Sequence, residues 1–167
     1  MRIRSTILMA GAGTLALALI ALAQHPKPKP GLYEVTNTMT WQQSPFPEGM
    51  KAPKGSGEPH TGQTCITQEQ IDKYNGPKPE ANRGCQISNV KKHGSGMTAE
   101  IACGAPMKGN GTVKSTWVDS GHSKSKVHFT GSMNVGNQVK TIEWTLDSQS
   151  SYKGPDCGSV QPSSSDQ

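Results

Sequence analysis

Four cysteines, Cys65, Cys85, Cys103 and Cys157, are the residues of this 167-residue chain best placed to do chemistry. Thiols can hold a metal, run a redox cycle or form disulfides. Zinc ribbons and thioredoxin-like sites use closely spaced Cys-x-x-Cys pairs. None of the four is so paired. Their number is even, and in an exported chain such a set reads as two disulfides. Three connectivities are open on count alone. The stretch CQISNVKKHGSGMTAEIAC sets Cys85 and Cys103 at equal distances from Gly94. Folded as a hairpin, it opposes the two cysteines and sets Ile87 against Ile101. A two-residue turn at Gly94-Ser95 would instead slip the register by one. The shared apolar face favours the first arrangement, with Cys85 bonded to Cys103 and, by elimination, Cys65 to Cys157.

Other chemistry is sparse. The chain has no Gly-x-Ser-x-Gly, no P-loop and no His-Glu-x-x-His. Its acidic residues are dispersed, so no carboxylate pair for acid–base work is visible. No catalytic residue is assigned, and no enzyme is expected. Five histidines and seven methionines make copper the sharper temptation. His122 and His128 could share a strand face, but Lys124 and Lys126 lie between them and would repel a cation. No metal and no cofactor is assigned. Tyr33, Trp41, Trp117, Phe129 and Trp144 fall on alternating strand faces. They are core residues or the lining of an apolar cleft, with core preferred because apolar surface is scarce.

These residues need strands to position them. In GLYEVTNTMTW, Tyr33, Val35, Met39 and Trp41 alternate with polar residues, the period of a half-buried strand. Asn37 is the polar member of that inward row. Residues 42–60 are rich in proline and glycine without period, which predicts a mobile loop away from the core. Thr67 and Gln70 are spaced as a capping box, which predicts a short helix over 68–74. Strands and tight turns follow. Asp119-Ser120-Gly121 fits a three-residue hairpin loop with Gly121 left-handed. Gly136-Asn137 fits a two-residue loop. Closing it sets Val127 against Leu146, Phe129 against Trp144 and Gly131 against Ile142, apolar against apolar or glycine.

The ends fix the compartment. Arg2 and Arg4, an apolar run from Ile7 to Leu22 and the small-x-small site Ala21-Leu22-Ala23 predict a signal peptide over residues 1–23, cut before Gln24. Removing both arginines lowers the formal charge from +5 to +3. That charge is small and scattered, and no nucleic-acid partner is expected. No membrane span should remain after cleavage. Residues 24–30 form a proline-rich spacer, 31–158 one stapled domain and 159–167 a disordered tail. The composition allows only a thin core, for which covalent staples matter. By chain entropy the two disulfides are worth about 3 and 4–5 kcal/mol.

The motifs GLYEV, TCITQEQ, the Cys85–Cys103 stretch and a final GPDCG occur in an order and spacing that resembles a family of exported bacterial proteins, domain of unknown function 3617. Its members typically begin Gly-x-Trp-Glu; here Tyr33 stands for the tryptophan, and the following stretch is poorer in methionine. The likeness spans about residues 31–158. It implies a mainly β domain of the envelope or exterior and no reaction.

The expected fold is therefore all-β: an antiparallel meander of about seven strands forming a strongly curved sheet or open barrel, with one short helix and two disulfides. The expected function is non-catalytic and periplasmic or secreted, binding a small apolar ligand or an envelope component. The alternatives are a periplasmic His/Met metal-binding protein and a hydrolase assembled from distant residues.

Overall fold

The computed structural model describes residues 25–47, 56–78 and 84–162. The signal-peptide assignment and the cut before Gln24 lie outside them, as do residues 48–55 of the 42–60 loop and the last five residues of the tail. Seven strands and one helix are described: β1 Gly31–Gln43, β2 His60–Ile66, α1 Gln68–Tyr74, β3 Cys85–His93, β4 Gly96–Cys103, β5 Met107–Trp117, β6 His122–Val135 and β7 Gln138–Gly154. They make a single antiparallel sheet in the order β2-β1-β7-β6-β5-β4-β3.

Strands β3 to β7 are consecutive hairpins. The β1–β2 hairpin docks on β7, so β2 and β3 become opposite edges of the sheet. The sheet neither closes nor curls strongly, which corrects the expected open barrel. Closing it would require β2 to pair with β3. The chain between them instead carries α1 across the inward face, and this crossover supplies the cover that curling would have supplied.

The two faces follow from alternation along each strand. Outward positions are polar: His122, Lys124, Lys126 and His128 on β6 stand beside Ser151, Gln149, Asp147 and Thr145 on β7. Inward positions carry the apolar residues. One core cluster joins Tyr33, Ile66, Ile71 and Trp117; a second joins Met97, Ala99 and Val113, with Tyr74 packed on it. Ile71 and Tyr74 belong to α1, so the helix bridges both clusters.

The helix starts where its capping box predicts. The Thr67 hydroxyl accepts from the Gln70 N–H, and the Gln70 side chain accepts from the Thr67 N–H at 3.0 Å. It stops at Asn75, which takes the left-handed conformation at φ 57°.

The β6–β7 register pairs Val127 with Leu146, Phe129 with Trp144 and Gly131 with Ile142. Its turn is Gly136-Asn137, with Gly136 at φ 59°. In the β3–β4 hairpin, Cys85 opposes Cys103 and Ile87 opposes Ile101, yet His93 opposes Gly96 across a Gly94-Ser95 turn. The two alternative registers therefore coexist. A bulge between Ser88 and Lys91, with Asn89 at φ 51°, absorbs the one-residue slip.

Two expectations need correction. Gly121 is not left-handed. The Asp119 carboxylate holds that turn instead, accepting from the N–H groups of Gly121 and His122 at 2.7 and 2.8 Å. The 42–60 loop is not remote from the core at its described ends. Phe46 meets the Trp41 ring edge-on at 6.0 Å, and the Trp41 indole donates to the Ser56 hydroxyl at 3.1 Å. A large ring with an N–H to satisfy drew both ends of the loop onto β1. The spacer is docked too: Pro28 is buried, and the Tyr33 hydroxyl donates to the Lys29 carbonyl at 2.7 Å.

Candidate functional site

Between the crossover and the inward face lies a cleft of about 220 Å³. Its floor is built by register. Val113 on β5 opposes Val127 on β6, which opposes Leu146 on β7. One step along each strand, Ser115 opposes Ser125, which opposes Ser148. Apolar and hydroxyl rows thus run side by side across three strands. Ile87, Met97 and Ile101 form the flank, and Asn75, Gly76, Pro77 and Lys78 form the roof.

The roof is fixed to the floor by Trp117. Its indole N–H donates to the Asn75 carbonyl at 2.6 Å, while the Asn75 side chain donates to the Gly96 carbonyl at 3.4 Å. Gly76 lies over the indole, 3.6 Å from a methyl built at its Cα to the ring nitrogen. Trp117 itself is held edge-on by Tyr33, whose centroid is 5.5 Å away.

None of the five candidate aromatics lines this cleft. Tyr33, Trp117 and Phe129 are buried, and Trp41 and Trp144 are partly so. Phe129 stacks on Trp144 at 5.2 Å and lies over the glycines of β5. A methyl group at Gly109 would stand 2.8 Å from the Phe129 ring and 2.2 Å from the Thr130 carbonyl oxygen, so only glycine admits this approach. The cleft-lining aliphatic residues are legible as strand faces in the sequence. That the crossover leaves them a gap is not.

The cysteines stand apart from the cleft. Cys85 is bonded to Cys103 and Cys65 to Cys157, spanning 18 and 92 positions, and no described cysteine is free. Among the described residues no group of three or more His, Cys, Asp and Glu could hold a metal. His122 contacts the Asp119 carboxylate at 2.9 Å, and His128 that of Glu143 at 2.9 Å.

Among the described residues two titratable groups have displaced pKa values, and neither lines the cleft. Burial raises the Tyr33 phenol, opposed by the hydrogen bond that the Lys29 N–H donates to its oxygen. Hydrogen bonding from the Gly121 N–H and from His122 lowers the Asp119 carboxyl.

A family model described as protein of unknown function (DUF3617) matches residues 28–157, from the docked spacer to the last cysteine. The chain belongs to this family. No curated protein and no solved structure matches it. In this DUF3617 domain the matched span takes in all seven strands, the crossover and both disulfides. Among the described residues no helix is long and apolar enough to cross a membrane.

Proposed function

We propose that this DUF3617 domain is an exported, non-catalytic binding protein that holds a small apolar molecule in the cleft beneath the crossover. The observation that carries this reading is the cleft itself. A chain with few apolar residues leaves six of them around about 220 Å³ of space rather than packing them shut. That volume lies below the roughly 300–1,000 Å³ of drug-sized sites, which suits a small ligand. The two disulfides suit an oxidising compartment, the periplasm or the exterior. An envelope component remains the other source of such a ligand.

Native mass spectrometry of the disulfide-intact protein recovered from cells tests the proposal. The wild-type chain should carry an organic adduct. Val127→Phe, which fills the floor with an apolar ring, should lose that adduct while the thermal midpoint stays within a few degrees. A bare wild-type protein, or an adduct that survives in the filled variant, overturns it.

A further inference from the structure

The second row of the cleft floor indicates what the ligand carries. We infer that the cleft takes an uncharged amphiphile, its alkyl part on the Val113–Val127–Leu146 row and a hydroxyl, ester or amide group on the Ser115–Ser125–Ser148 row. This inference rests on the cleft reading above.

Three observations carry it. First, the three serines are direct cross-strand neighbours and all line the cleft. Strand spacing sets them about 4.8 Å apart, so one polar group can reach two hydroxyls at once. Second, these hydroxyls are unspent. Among the described residues none of the three is hydrogen-bonded to another protein side chain or backbone group. The neighbouring row differs: Ser123 and Ser150 bond each other at 2.6 Å. Every fully buried side-chain polar atom that is described has a partner. The three hydroxyls are therefore open to whatever fills the cleft.

Third, the charge balance of the lining disfavours an ion. Among the described residues no carboxylate lines the cleft, and the one cation among them, Lys78, is already engaged within the chain. A carboxylate ligand would leave water for three neutral hydroxyls and an ammonium already committed elsewhere, at a cost that the hydroxyls do not offset. A neutral hydroxyl can both donate to and accept from serine. The polar row also continues outward, from Ser148 to Asn37 and then to His60 on the β2 edge. That continuation gives a polar head a hydrated way out while an apolar tail stays on the valine row.

The test is a methyl NMR titration of the disulfide-intact protein with 1-hexanol, n-hexane and hexanoate, read at the Ile and Val methyls of the cleft. Hexanol should bind tightest and hexanoate at least tenfold more weakly. The Ser125→Ala/Ser148→Ala double variant should weaken hexanol about fivefold for each hydroxyl that bonds it and leave hexane unchanged. Equal affinity for hexanol and hexane, an unchanged hexanol affinity in the variant, or hexanoate binding tightest would overturn the inference and leave the cleft reading intact. If none of the three probes moves the cleft methyls, the cleft reading falls and this inference with it.

Discussion

Asp119 fixes the β5–β6 turn with one carboxylate that accepts from two backbone N–H groups and meets the His122 ring. Those bonds favour the ionised form and lower its pKa. A depressed folded-state value contributes stability above the ordinary carboxylate pKa, and the contribution is lost as pH falls through the folded value. Thermal midpoints taken from neutral pH down to about pH 2 should therefore drop more steeply in the wild type than in Asp119→Asn. Tyr33 has the opposite sign. Burial raises its pKa, so its contribution is present below the ordinary tyrosine value and is lost as pH rises beyond it. Tyr33→Phe should flatten the loss of stability above about pH 10 while lowering stability at neutral pH by about 1 kcal/mol through the lost bond to Lys29. The turn was legible from Asp-Ser-Gly, but its mechanism was not. Left-handed glycine and a capping carboxylate leave the same three letters in a sequence, and only the backbone angle separates them.

At the scale of elements, hairpins were the most legible feature because register can be tested on paper. Pairing apolar against apolar residues fixes β6 on β7, and the structure has that register. The β3–β4 hairpin shows where such a test stops. Cysteine symmetry and turn chemistry gave different registers, and the bulge at Asn89 satisfies both. A bulge has no composition of its own, so nothing in SNVKK announces it. Glycine in β5 has a different origin. Gly109 and Gly111 are the seat of the Phe129 ring, and Gly109→Ala should cost about 1–3 kcal/mol in urea unfolding through overpacking. The crossover was the least legible element. Only α1 within it has a sequence signature, the capping box. The segment after it is held by the Trp117 indole. Trp117→Phe removes that donor and should lower stability by about 1–2 kcal/mol, with faster amide exchange at Asn75, Gly76 and Lys78.

For the whole molecule, the sheet order depends on one long-range decision, the docking of β1 on β7. Alternation declares that both strands have an inward row. It does not say that they are neighbours, and that is why a meander curling on itself was expected. The candidate site was lost for the same reason: it lies where the crossover spans strands whose order the sequence leaves open. The disulfides bear differently on this architecture. Cys65–Cys157 ties the end of β2 to the chain beyond β7, closing 92 positions, whereas Cys85–Cys103 closes 18 within one hairpin. Replacing both members of the long pair with serine should cost about 4–5 kcal/mol, against about 3 kcal/mol for the short pair, measured by urea unfolding. The docking of β1 also has a consequence in time. Val35 on β1 pairs with Ser150 on β7, whereas β3 to β7 pair with one another in chain order. Local hairpins close early and distant ladders late. A chain emerging N-terminus first presents β1 before β7 exists, so one edge of β1 stays unpaired until the last strand arrives. Pulse-labelled hydrogen exchange during refolding should find β4 to β6 protected while β1 still exchanges, and that interval is when the chain is most exposed to aggregation or to the need for a chaperone.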